Sequence, residues 1–390
     1  MRLLKALVAQ GVDARMLVVH ASNDNPRVEV VGSKPRRRMV FLAECGEIFT
    51  QNGLNRRDLF KVSTGSFGVS VVNHPWVKDA DVVVLAWINQ GMLSLGEIRR
   101  LCAAKPVVWT MHDMWNPVGA CHHAGECERW RDGSECGGCP LVGGHGLARR
   151  VFRRKKRLYA QTDINFVAVS NWLADRCRQS PLMTSSRLMV IPNAFPVEEF
   201  TPHAAKSLPA SLSALPSTQL IVMGAARLDD PIKDIDLAID SLNRLNAKGV
   251  TAVFYGSLKD EHCLDRLKFP HVWLGPIETS AVAPLMSRAT VVLSTSRYET
   301  LPGTVIEGMA AGATPVTTPN GGQRDIIDHG VNGYIADIAS PENIAHLIEK
   351  ALDKPFDREA QHQTVLHKFS ADSVARRYVE LFTSLIGDEC

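Results

Sequence analysis

The 390-residue sequence contains no run of about 20 apolar residues, the length a helix needs to cross a bilayer, so no transmembrane helix is expected. Its N-terminal apolar stretch, Leu3 to Ala9, is too short for a signal peptide and no cleavage site follows it. Net charge is only +3, from 44 basic and 41 acidic side chains, so bulk electrostatics point to no partner and no nucleic acid is expected. No repeat of solenoid period is visible. These absences suggest a cytoplasmic protein, with peripheral contact at the cytoplasmic face of the inner membrane left open. The nine cysteines are then thiols or metal ligands rather than disulfides. Apolar content of 45% and charged content of 22% are ordinary for a globular chain, and this length favours two domains over one core.

What is present is organised around Tyr298 to Ala310. The run Thr290-Val291-Val292-Leu293-Ser294 reads as a buried parallel strand. Pro302 suits the first turn of a helix, where its missing N–H is no loss. Gly303 and Thr304 leave unhindered amides at that helix start, a place that attracts phosphate. Glu299 and Glu307 bracket it. One of them could hold ribose hydroxyls; equally, both could be solvated carboxylates on a strand–loop–helix.

Upstream, apolar runs at 81–88 and 106–111 read as parallel strands. The second ends in His112-Asp113-Met114-Trp115, and ligands of open α/β sheets sit beyond strand carboxyl ends. His112 is therefore either a ligand-facing residue or a simple strand cap. Cys121, Cys127, Cys136 and Cys139 follow with spacing C-x5-C-x8-C-x2-C. Four thiolates in a loop without apolar periodicity suit a structural zinc. His122 or His123 could replace one thiol, and chance clustering is the plain alternative. A catalytic zinc fits least, since four protein ligands leave no open position. Residues 147–160 form a basic amphipathic stretch, suited to anionic lipid, to a diphosphate-bearing acceptor, or to ordinary solvation.

Residues 22–78 are weakly patterned, and loops with short helices are expected there. The pattern reads as a chain that opens inside a first helix (3–10) followed by a strand at 14–19, without the central strand and glycine turn that usually begin a doubly wound domain. Such a loss leaves neighbouring strands unpaired. The Pro-, Ala- and Ser-rich stretch Thr201–Thr218 reads as a linker. Beyond it strands near 219–224, 251–256, 272–275, 290–296 and 314–318 alternate with helices, giving a second doubly wound sheet. Arg227 and Lys233, after the first of these strands, could clamp a diphosphate or remain solvated cations.

The Glu299-x7-Glu307 stretch resembles the motif of retaining GT-B glycosyltransferases of family 4. The resemblance includes Gly224 to Leu228 with Lys233, Phe254 to Ser257, Leu274-Gly275, Thr314-Pro315-Val316 and Asn320-Gly321-Gly322. It implies an α/β GT-B fold: an acceptor-side domain over 1–195 with a C-terminal helix (371–390) packed back on it, and a donor domain over 196–370. It implies that Arg227 and Lys233, with amides around Pro302, Gly303 and Thr304, bind the phosphates of a UDP- or GDP-sugar. Glu307 would hold the ribose, Glu299 would lie near the transferred sugar, and His112 would face that sugar. Catalysis would need no cofactor or metal. One departure stands out: Lys233 follows Arg227 by six positions rather than five, with Pro231 between and Asp234 after. The Cys-rich loop and the His112 to Trp115 segment resemble enzymes of capsule, colanic-acid and exopolysaccharide pathways. The expected function is sugar transfer with retention to a glycan or polyprenyl-diphosphate-linked acceptor in bacterial surface polysaccharide synthesis. The alternatives are a GT-B sugar-nucleotide epimerase and a non-catalytic nucleotide-sugar-binding remnant.

Overall fold

A computed structural model describes residues 1–21, 24–55, 59, 61–142, 146–204, 212, 215–216 and 218–387. The chain divides into two compact units, one formed by Leu3–Pro192 with Arg376–Cys390 and the other by Asn193–Ala375. Most of the stretch expected to be a linker lies outside the described residues.

In the first unit, β1 (Met16–Val18) and β2 (Val28–Val30) form a parallel pair of their own. β3 (Val83–Ala86), β4 (Val107–Met111), β5 (Ile164–Ala168) and β6 (Arg187–Val190) form a separate four-stranded parallel sheet in that order. Among the described residues no strand joins the two pieces. β4 and β5 are buried along their whole length, which is why they read as continuous apolar runs. Trp109 of β4 stacks on Phe166 of β5 with ring centroids 5.9 Å apart, and Trp115, Phe152 and Leu101 complete a core with almost no exposure. Ser94 and Ser170 start the helices after β3 and β5, their hydroxyls accepting from the amides of Glu97 and Leu173 at 3.1 Å. In the last helix, Tyr378 is buried and its hydroxyl lies 2.8 Å from Thr110 Oγ1.

The expectation of loops and short helices over 22–78 is corrected here. An 18-residue helix, Lys34–Gln51, runs through it. Its buried stripe is Val40, Glu44 and Ile48, and the carboxylate in the middle of that stripe hides the helical period. Glu44 accepts a hydrogen bond from the Thr64 amide at 2.8 Å, and burial pushes its carboxyl above the ordinary range.

The second unit holds six parallel strands: β7 (Gln219–Arg227), β8 (Val250–Ser257), β9 (His271–Trp273), β10 (Ala289–Ser294), β11 (Thr314–Thr317) and β12 (Tyr334–Ile335). Their order in the sheet is β12-β11-β10-β7-β8-β9. The order reverses between β7 and β10, so their carboxyl ends flank the topological switch point where open sheets bind ligands. Ile221, Phe254, Leu293, Val316 and Ile348 anchor the core, each worth about 1.5–3 kcal/mol of transfer free energy.

Candidate functional site

β10 ends at Ser294, and the chain turns through Ser296 and Glu299 into the helix Gly303–Ala310. That helix buries Val305, Ile306, Met309 and Ala310 against the sheet. No side chain caps its start at Pro302 and no acidic residue occupies its first turn, so the amide-rich end stays open to an anion. A cavity of about 220 Å³ lies there, lined by Lys233, Glu299, Pro302, Gly303, Thr304 and Glu307 among others. Six of the eight residues expected to act on the donor or its sugar therefore share one cavity wall.

Two loops fix Glu299. Its amide donates to Asn320 O at 3.3 Å and its carbonyl accepts from the Gly322 amide at 2.9 Å. Gly321 sits between at φ +132°, and a β-carbon there would fall 2.1 Å from Glu299 O, so only glycine permits this approach. The carboxylate accepts from Ser296 Oγ at 3.1 Å and forms an ion pair with the Lys233 ammonium.

Lys233 reaches the cavity despite its unusual spacing. Thr295 Oγ1 donates to the carbonyls of both Lys233 and Asp234, at 2.9 and 3.0 Å. Asp234 takes a left-handed φ of +50°, and its carboxylate accepts from Arg297 Nε at 2.9 Å. The extra residue is absorbed in this anchored turn. Arg227 behaves differently. Its guanidinium lies 3.2 Å from Asp229 and 3.7 Å from Asp230 and is not part of the cavity lining. The Arg227–Asp229 contact is close but misaligned, for neither Arg227 Nε nor Asp229 Oδ1 completes a hydrogen bond.

Burial pushes the Glu307 carboxyl above the ordinary range. Ser294, Ser296 and Met223 also line the cavity; such small or apolar side chains carry no signal of their own in a sequence.

In the first unit, His112 follows β4 and lines a small cavity with Trp87, Asn89 and Asn116. The next residue, Asp113, is buried and organises its surroundings. Its Oδ2 lies 2.7 Å from His122 Nδ1 and accepts from Trp87 Nε1 at 3.2 Å, while Oδ1 accepts from the Trp115 amide at 2.8 Å. Burial opposes the charge, but the His122 and amide contacts hold the carboxyl below its usual range. His122 Nε2 lies 3.0 Å from Ser63 Oγ. Both ring nitrogens of His122 are thus engaged by protein partners.

The four loop thiols are close enough that a charge on Cys127, Cys136 or Cys139 would disfavour charge on Cys121. The Gly119 amide donates to Cys136 Sγ at 3.2 Å, and the turn 135–138 uses left-handed backbone at Glu135, Cys136 and Gly138. As placed, no group of three or more His, Cys, Asp or Glu side chains among the described residues has metal-holding geometry. Beneath the loop, Lys155 is fully buried, its ammonium donating to Trp115 O and lying 4.0 Å from the Trp115 ring centroid. Burial lowers its pKa to about 7. No carboxylate lies within ion-pair distance of it among the described residues.

The basic helix Leu147–Ala160 turns Leu147, Val151, Phe152 and Leu158 into the core. Its apolar face is therefore occupied by its own unit. Of its cations, Arg153 and Lys156 pair with Glu135 at 2.7 and 3.4 Å. Among the described residues, no helix is long and apolar enough to cross a membrane.

Residues 212–365 match the family model described as glycosyl transferases group 1. An uncharacterized glycosyltransferase of Methanocaldococcus jannaschii is 32% identical over 149 residues, 36% of this chain and 38% of that protein. The matches span from 33% to 54% of the length of the curated relatives. Two solved structures share the fold. WaaG, a glycosyltransferase involved in lipopolysaccharide biosynthesis, has a TM-score of 0.61 at 16% identity, covering 98% of this chain and 94% of its own. Anabaena HepE, solved in complex with UDP, has a TM-score of 0.58 at 17% identity, covering 80% of each chain. The architecture is GT-B-like, with two units built on parallel sheets.

Proposed function

We propose that the chain is a retaining, metal-independent glycosyltransferase of GT-B family 4. It takes a sugar from a UDP- or GDP-sugar and passes it to a glycan or polyprenyl-diphosphate-linked acceptor in bacterial surface polysaccharide assembly, on the cytoplasmic side of the membrane. One observation carries this reading: an uncapped helix start, a lysine and two carboxylates converge on one cavity at the switch point of the second sheet.

The chemistry follows from that convergence. The helix amides and Lys233 hold the diphosphate and stabilise the charge that develops on it as the sugar departs. Glu307, reaching the cavity from the second turn of the helix, accepts hydrogen bonds from the ribose hydroxyls. Glu299 lies beside the departing sugar. Arg227 joins the phosphates on exchanging its two aspartates for them. The fold shared with a UDP complex and with a lipopolysaccharide enzyme supports the donor class and the pathway class.

A structural zinc on Cys121, Cys127, Cys136 and Cys139 belongs to the same proposal. Thiolates around a zinc ion carry net negative charge, and the fully buried Lys155 ammonium beside Cys121 and Cys136 would then have the anionic neighbour that a buried cation requires. The Gly119 amide on Cys136 Sγ is the kind of outer contact that orients a ligand.

The divided sheet of the first unit favours one second reading, donor binding without transfer. The experiment separates the two. Thermal shift with UDP, GDP and ADP tests the site, and release of nucleoside diphosphate from a panel of UDP- and GDP-sugars tests turnover. Stabilisation with turnover supports transfer, and stabilisation alone supports the second reading. No shift with any nucleoside diphosphate, in a folded sample, removes the donor site.

A further inference from the structure

Trp87, at the carboxyl end of β3, breaks two rules at once. It is 46% exposed, although a large aromatic gains most when covered. It also takes a left-handed φ of +41°, which is strained for a bulky side chain. Its ring is nevertheless held in place. Nε1 donates to the buried Asp113 carboxylate, and the ring lies tilted 6.0 Å from His122. The loop it opens is equally tied down: the Leu93 amide donates to Ile88 O at 3.0 Å, and Gln90 and Gly91 supply two further left-handed residues. Strain held by fixed surroundings on an exposed ring is an arrangement that stability alone does not explain.

The second observation is independent. Asn89 is 5% exposed, lines the same small cavity as Trp87, His112 and Asn116, and its Oδ1 is buried without a hydrogen-bond partner. An unmade bond of this kind costs about 1–3 kcal/mol. The cavity holds about 10 Å³, room for one water or one hydroxyl group.

We propose that this loop is a sugar-binding subsite for the acceptor: a pyranose lays its apolar C–H face on Trp87 and donates one hydroxyl to Asn89 Oδ1. The pairing of a flat apolar surface with a single buried acceptor beside it suits a pyranose, whose ring has one C–H-rich face and hydroxyls at its rim. The assignment to the acceptor rests on the glycosyl-transfer reading; the sugar site itself does not.

The probes are the methyl glycosides of glucose, galactose and N-acetylglucosamine, examined by saturation-transfer NMR on the full chain. Ring C–H protons of at least one glycoside should receive saturation. Trp87→Ala should raise its dissociation constant roughly tenfold, Trp87→Phe should restore most of the loss, and Asn89→Ala should weaken binding several-fold. If no glycoside receives saturation from the wild-type chain, or if Trp87→Ala and Trp87→Phe both bind as wild type does, the subsite is wrong. Binding that is lost in Trp87→Ala and kept in Asn89→Ala assigns the small cavity to a water and overturns the hydroxyl contact. UDP binding of the wild-type chain, measured on the same sample, reports separately on the donor reading.

Discussion

Lys233→Met should weaken nucleoside diphosphate affinity, whereas Glu299→Gln should leave it level or raise it. The Lys233 ammonium is paired with Glu299. The two side chains are 29% and 21% exposed, so solvent screens the pair in part, and it is worth about 1 kcal/mol. A diphosphate must break that pair or share its cation. Glutamine at 299 removes the competing charge while keeping an acceptor for Ser296 Oγ, so UDP affinity should stay level or rise by up to about fivefold. Methionine at 233 keeps the apolar stem and removes the ammonium. Loss of one charge-assisted hydrogen bond costs about 1.5–3 kcal/mol, which weakens UDP roughly ten- to a hundredfold. Isothermal titration with UDP at two salt concentrations measures both, and the salt dependence should shrink in Lys233→Met. Turnover of Glu299→Gln should fall even as its nucleotide affinity holds, because a group acting beside the departing sugar works in the transition state. Equal weakening in both variants would show that the ion pair builds the site rather than competing with the ligand. Wild-type affinity in Lys233→Met would place the phosphates elsewhere.

Two further outcomes are expected. Burial raises the Glu307 pKa, and only its carboxylate form brings a charge to the ribose hydroxyls; UDP affinity should therefore weaken as pH falls from about 7 toward about 5. Glu307→Gln should be roughly tenfold weaker at neutral pH and flat across that window, and a wild-type profile without slope would contradict the assignment. Elemental analysis of chain purified without added metal should give about one zinc per chain, and unchanged zinc in a Cys136→Ser, Cys139→Ser double variant would remove those ligands.

The strands and the helix at the donor site could be read in advance because their signals are local. β4, β5 and most of β10 are buried runs rich in apolar residues, and Pro302 with Gly303 marks a helix start by backbone chemistry alone. The helix Lys34–Gln51 was not legible, because Glu44 interrupts its buried stripe and accepts from the Thr64 amide, 20 residues away.

By itself the sequence determined the alternation of strand and helix, the place of Glu299 and Glu307 around a helix start, and the spacing of the four thiols. Each depends on residues near one another in the chain, where backbone geometry dictates position. Tertiary structure alone decided what the charged groups do. It brought Lys233 to Glu299 across 66 positions, turned Arg227 to its neighbouring aspartates, and engaged both nitrogens of His122. It also pressed the apolar face of the basic helix into its own core and left Trp87 exposed beside the buried Asn89. Those outcomes depend on which loops meet at the carboxyl edge of a sheet, and the strand order that brings them together is set by long-range packing.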